Sequence, residues 1–142
     1  MEVLPVYAVI DTNVLVSALL SSSSFSNPFI ILEAIYSKKL VPLYNGAILS
    51  EYKLVLSREK FHFSEEQVGL VISSILEYGL KVEKEDCVTD EFPDPKDIVF
   101  YEVRMAVDDS YLVTGNIKHF PQKPFVVTPA QMVEILKEKG LL

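Results

Sequence analysis

Cysteine occurs once in the 142 residues, at Cys87, which excludes an intrachain disulfide framework and a zinc site built on cysteines. A lone thiol fits a reducing compartment. Histidine is almost as scarce: His62 and His119 stand apart from one another and from Cys87. No apolar stretch approaches the ~20 residues needed to cross a bilayer. The opening Met1-Glu2-Val3-Leu4-Pro5 has no basic region followed by an apolar run and cleavage site, so it does not read as a signal peptide. The expectation is a soluble, cytoplasmic protein with no membrane contact. Positive charge is also in deficit, with 13 Lys and Arg against 20 Asp and Glu and a net charge of −7. Proteins that hold nucleic acid by backbone charge alone are basic, which argues against a broad phosphate-binding face. A small site where metal ions rather than lysines carry the positive charge stays open. Internal repeats are missing, and the one low-complexity patch is Ser21-Ser22-Ser23-Ser24.

What is present is a chain of one domain's length, 1–142, with 49% hydrophobic and 23% charged residues, enough to build one core. Short apolar runs at Val6–Ile10, Leu40–Tyr44, Leu80–Val82, Tyr111–Thr114 and Phe125–Val127 read as buried strands. Helical periodicity lies between them. Asn13–Leu20 carries Val14, Leu15, Ala18 and Leu19 on one stripe, and Asn27-Pro28 reads as N-cap and first helical position of a second helix. Ala47–Ser57 follows, with Ile48, Leu54 and Val55 on one side. Ser64 and Gln67 form a capping box for a helix that stops at Gly79 and carries Val68, Val71, Ile72, Ile75 and Leu76 on one apolar stripe. Asp94-Pro95 starts a helix reaching about Val107, and Thr128-Pro129-Ala130-Gln131 caps the last, ended by Gly140. Strand alternating with helix predicts an α/β fold: three layers, α/β/α, around a mostly parallel sheet of about five strands.

In such sheets ligands bind outside the carboxyl ends of the strands, so polar residues that directly follow a strand matter most. Asp11 follows the first strand, with Thr12 and Asn13 continuing the turn; Thr114, Gly115 and Asn116 close the strand that begins at Tyr111. Glu51 places a carboxylate on the inward side of its helix, and Asp97 falls in the first turn of another. Each has a local explanation as well. Asp11 serves as a helix cap, Glu51 as an acid favoured near a helix N-terminus, Asp97 as part of a cap with Asp94, and Asn116 as a turn residue. Gathered at one sheet edge, however, the carboxylates would repel and take up protons without a cation between them. Oxygen ligands of this kind suit Mg²⁺ or Mn²⁺.

The same residues carry a resemblance. Val9-Ile10-Asp11-Thr12-Asn13-Val14-Leu15, Ile48-Leu49-Ser50-Glu51-Tyr52, Asp94-Pro95-Lys96-Asp97 and Asp109 to Asn116 resemble, in order and spacing, the blocks of PIN domains, a nuclease family with an acidic metal site. Val126-Val127-Thr128-Pro129-Ala130-Gln131 resembles the end of a bacterial and archaeal branch described as toxin components of toxin–antitoxin pairs. The resemblance runs from about Val6 to Leu136. It implies that Asp11, Glu51 and Asp97 fill the three acidic positions and that Thr114 is the Ser/Thr near the metal. Asn13 would brace the first Asp, with Asp94 an alternative or auxiliary acid. Asn116 stands where many members have a fourth acid. An amide oxygen still ligates a cation but adds no charge, so a resting site with one metal, gaining its second with substrate, is expected.

The activity implied is Mg²⁺- or Mn²⁺-dependent hydrolysis of single-stranded RNA, with an antitoxin as possible protein partner and a homodimer expected from the abundance of apolar helix residues. Asp11 would be the central ligand, Asp97 and Glu51 would hold or orient the ions, and Asn116 and Thr114 would position the attacking water. The alternative is a PIN-like protein- or RNA-binding module whose metal site is too weak for catalysis, to which Asn116 and the −7 charge also point. A dehalogenase-type phosphatase fits less well because position 13 is Asn, and a response-regulator receiver because only Glu2 is acidic near the N-terminus. Of the basic residues Lys38, Lys39, Arg58, Lys60, Lys118 and Lys123, Lys118 is the best placed for substrate because it follows Asn116. Tyr7, Tyr44 and Tyr111 read as core. No histidine is required, and His119, three residues past Asn116, has substrate contact as its lesser reading beside a structural or surface role.

Overall fold

The computed structural model describes residues 3–83 and 91–142. Cys87 and most of the acidic stretch around it lie outside the described residues.

Among the described residues, five strands form one sheet: β1 (Val6–Ile10), β2 (Leu40–Tyr44), β3 (Leu80–Lys81), β4 (Ser110–Val113) and β5 (Val126–Val127). Their order is β3-β2-β1-β4-β5 and every pairing is parallel. The described residues also form six α-helices around it: α1 (Thr12–Leu20), α2 (Asn27–Tyr36), α3 (Gly46–Leu56), α4 (Glu65–Tyr78), α5 (Ile98–Met105) and α6 (Pro129–Glu138). The expected three-layer α/β/α architecture is the observed one.

β1 is the central strand, and its residues alternate between the two sheet faces. Ala8, Val9 and Ile10 are all inaccessible, so both faces are covered. α5 packs on β1, β2 and β4, while α2 meets α1, α4, α6 and β2. One apolar cluster runs from Val6 through Ile48, Ile75 and Phe100 to Leu136.

Local chemistry explains most boundaries. The Ser64–Gln67 and Thr128–Gln131 capping boxes form with both reciprocal bonds. The N-cap of α2 is Ser26 rather than Asn27: the Ser26 hydroxyl accepts from the Phe29 amide, and Asn27 and Pro28 become the first helical residues. Proline is tolerated there because a first-turn N–H has no intrahelical acceptor. The helix expected from Asp94 begins instead as a single 3₁₀ turn, Pro95–Asp97, before α5 proper. Leu54 and Leu76, expected on buried stripes, are exposed at 62% and 48%, and Tyr7, expected in the core, at 37%.

The chain passes from β1 outward to β2 and β3, then returns to the far side of β1 as β4. That reversal opens a crevice outside the carboxyl ends of β1 and β4, where open α/β sheets bind ligands.

Candidate active site

Ile10 is paired with Val113 across β1 and β4, so the residues that follow, Asp11 and Thr114, leave the two strands side by side. The Asp11 amide donates to the Val113 carbonyl at 2.9 Å and the Thr114 amide to Val127 at 2.9 Å, which extends the ladder to the edge of the crevice. The Asp11 backbone is the N-cap of α1, yet its side chain makes no capping bond. Its Oδ2 instead accepts from Thr114 Oγ1 at 2.8 Å. Helix capping therefore does not account for this carboxylate.

Thr114 is fully buried and its oxygen also accepts from the Asn116 amide at 3.0 Å. The single hydroxyl proton is directed at Asp11, so Thr114 holds that carboxylate in place. Asn13, one helical residue into α1, accepts from the Gly115 amide at 3.0 Å. A Cβ at 115 would sit 3.3 Å from that same Asn13 oxygen, so glycine permits the close approach of the two loops. The brace expected of Asn13 is thus made to the β4 loop.

Asp97 arrives from the 3₁₀ turn before α5. Asp94 caps that turn, accepting from the Lys96 amide at 3.0 Å, whereas Asp97 makes no side-chain cap. Between the two acids, the one with a local job is Asp94. The Asp97 side chain is 15% exposed, and its Oδ2 is buried with no hydrogen-bond partner. Glu51 projects from α3, which is tied to the site by its neighbour: Tyr52, inaccessible to solvent, donates its hydroxyl to the Ile10 carbonyl at the end of β1. Burial and the charge of Asp11 push the Tyr52 hydroxyl pKa upward, keeping it a donor. Lys118 lies exposed in the 3₁₀ turn Ile117–His119.

The electrostatics show that these groups face a common region. The Asp11 carboxyl is pushed up to about 6, chiefly by burial and further by the Asp97 charge, against the opposing pull of the Thr114 hydroxyl, the Thr12 amide and His119. Asp97 is raised too, first by burial, then by Asp94, with Glu51 adding and His119 opposing. Sequence reasoning missed two participants. Tyr52 directly follows Glu51, and a tyrosine among the apolar positions of a helix is the signal for a buried hydroxyl seeking an acceptor. His119 places Nδ1 3.4 Å from Asp97 Oδ2 and Nε2 2.9 Å from Asn116 Nδ2.

The set fits a divalent cation of the hard, oxygen-preferring kind. Among the described residues no three His, Cys, Asp or Glu side chains form a ready-made cage. What converges is looser: the buried carboxylate of Asp11 and the partly buried one of Asp97, both with elevated pKa values, an amide at Asn116, and Glu51 close enough to influence Asp97. Carboxylates left in that state are destabilised by one another and relieved by a cation, and Mg²⁺ keeps several waters rather than demanding a full protein shell. A cavity of about 670 Å³ lies elsewhere, at the amino ends of β1 and β4 beside Tyr7, Tyr111 and Phe125, and none of the acids of this set lines it.

The PIN domain family model matches residues 7–118, which include Asp11, Asn13, Glu51, Asp97, Thr114 and Asn116 and stop one residue short of His119. The chain belongs to the PIN domain family. No curated protein and no solved structure matches it. PIN domains are generally nucleases that use divalent metals, so membership implies nuclease-type function and nucleic acid as the ligand. The match ends before β5 and α6, and the resemblance of Val126–Gln131 to the toxin branch therefore lies beyond it. Among the described residues no helix is long and apolar enough to cross a membrane.

Proposed function

We propose that this PIN domain is a Mg²⁺- or Mn²⁺-dependent endoribonuclease acting on single-stranded RNA, with Asp11, Asp97, Glu51 and Asn116 as the residues that hold the metal. The observation that supports it best is the pairing of Asp11 with Asp97. The charge of Asp97, from a distant segment, adds to burial in raising the Asp11 carboxyl, which is pushed up to about 6, and among the described residues neither acid is paired with a lysine or arginine. A fold does not maintain that arrangement for stability, because it costs stability.

Divalent cations held there supply a water acidic enough to ionise near neutral pH and offset charge developing on the phosphate oxygens. The chain's own contribution is orientation. Thr114 fixes one oxygen of Asp11 through its hydroxyl, which leaves the other for the cation. Asn13 and Gly115 lock the β1 and β4 loops together, so Asn116 is delivered to the same edge as Asp11. Tyr52 ties α3, and with it Glu51, to the last carbonyl of β1. Lys118 stands on this edge as a contact for substrate phosphate. With a net charge of −7, affinity for RNA depends on the metal site more than on the wider surface.

The test is cleavage of a single-stranded RNA oligonucleotide by purified protein: activity with Mg²⁺ or Mn²⁺, none in chelator, and none for Asp11→Asn. Equal cleavage by that variant would overturn the assignment. Calorimetry with Mn²⁺ addresses the second reading, since a binding module with a weakened site takes up no metal. We further propose the toxin role, for which growth arrest on expression, relieved by a co-expressed protein partner, is the expected result. The proposed homodimer has exposed Leu70 and Leu76 on α4 and Tyr36 on α2 as candidate contacts, and light scattering showing only monomer at micromolar concentration would exclude it.

A further inference from the structure

Among the described residues, His119 is an ionisable side chain at the site that the proposed reaction leaves without a task. Its ring sits between two of the metal-holding residues, with Nε2 2.9 Å from Asn116 Nδ2 and Nδ1 3.4 Å from Asp97 Oδ2. An amide nitrogen only donates, so Nε2 is the acceptor and the ring proton belongs on Nδ1, facing Oδ2 of Asp97. Both contacts agree on a single tautomer.

That agreement matters because of what occupies position 116. A carboxylate there would have two equivalent oxygens and serve a cation in either orientation. An amide has one useful end, and a rotation of about 180° would turn its N–H groups toward the cation in place of the oxygen. We infer that His119 is a positioning residue that captures the nitrogen end of the Asn116 amide and so turns the oxygen end toward the metal. Asn116 and His119 then act as a pair: the histidine supplies the orientation that an amide needs and an acid does not. This inference rests on the proposed metal site.

Calorimetric titration with Mn²⁺ alone tests it on wild type, His119→Ala, His119→Gln, Asn116→Asp and the double variant Asn116→Asp/His119→Ala. His119 is half exposed, and matching thermal unfolding curves confirm that the variants fold. Loss of an orienting partner behind a metal ligand lowers metal affinity 10–100-fold, the fall expected for His119→Ala. Glutamine keeps an acceptor for Asn116 Nδ2 and should recover most of it. In the Asn116→Asp background, removing His119 should cause no loss. An equal loss in both backgrounds, or no loss in wild type, overturns the inference, as does a His119→Gln variant no better than alanine. Nitrogen NMR of the neutral His119 ring in metal-free protein tests the pairing separately: the Nδ1–H tautomer is expected, and Nε2–H refutes the pairing without touching the metal reading. Wild type that binds no Mn²⁺ sinks the metal reading instead, while the tautomer still decides the pairing.

Discussion

Replacing Asp11 by asparagine should make the metal-free protein more stable at neutral pH while destroying its activity. The folded-state pKa of Asp11 is about 6 against an ordinary value of 3.8. A carboxyl whose folded value lies above its unfolded one favours the folded state only while protonated. Its contribution is complete below about pH 4 and is lost as pH rises through about 6. At 1.36 kcal/mol for each pH unit separating the two values, ionised Asp11 destabilises the fold by about 3 kcal/mol. Asparagine carries no charge and can still accept from Thr114, so it escapes that cost. For a chain of this size about 3 kcal/mol corresponds to roughly 10 °C in Tm. Thermal unfolding followed by circular dichroism in chelator should put Asp11→Asn about that far above wild type at pH 7.5 and level with it at pH 4. Adding Mn²⁺ at a hundred times its Kd stabilises wild type by about 2.7 kcal/mol and should nearly close the gap. A variant less stable than wild type at pH 7.5, or equally shifted at both pH values, refutes the reasoning.

The same carboxyl makes Mn²⁺ binding pH-dependent. Affinity should climb as pH rises through about 6, with proton release detectable by calorimetry in buffers of differing ionisation enthalpy, and a flat profile between pH 5 and 7 would contradict it. Tyr52→Phe leaves the buried Ile10 carbonyl without its donor, so urea denaturation should show a loss of about 1–3 kcal/mol, accompanied by slower cleavage as Glu51 loses its anchor. Glycine substitutions in and after α4 should have opposite signs. A Cβ at Gly79 would lie 2.4 Å from the Ile75 carbonyl oxygen and 2.7 Å from that of Pro42, and Gly79→Ala should cost about 3 kcal/mol. Gly69 is mid-helix with open space around it, so Gly69→Ala should add roughly 0.5–1 kcal/mol.

Much of the architecture was legible because its signals are local. A capping box closes within four residues and reports on itself, as at Ser64–Gln67 and Thr128–Gln131. Unbroken apolar runs such as Val6–Ile10 announce a strand covered on both faces. Where expectation and structure part, the cause is a competitor of similar local merit. Ser26 and Asn27 are both good caps beside Pro28, and the chain takes Ser26. Asp94 and Asp97 both suit a helix start, and Asp94 takes the cap. Leu54 and Leu76 match helical spacing but fall at the margin of the apolar stripe, where periodicity alone does not decide burial.

Asp11, Asp97, Thr114 and Asn116 could be nominated from the chain alone because each follows a strand or opens a helix beside one, and Glu51 because it falls on the inward side of its helix; a parallel sheet gathers such positions at one edge. Their division of labour could not. Which oxygen of Asp11 is occupied, which carboxylate of Asp94 and Asp97 stays uncommitted, that Tyr52 reaches back to β1, and that His119 holds the Asn116 amide all depend on how the folded segments meet. Order along the polypeptide specifies elements, since hydrogen bonding within a turn of helix and alternation along a strand act over a few residues. Burial, proton affinity and side-chain orientation arise from distances across the fold, and those exist only once the sheet has brought the segments together.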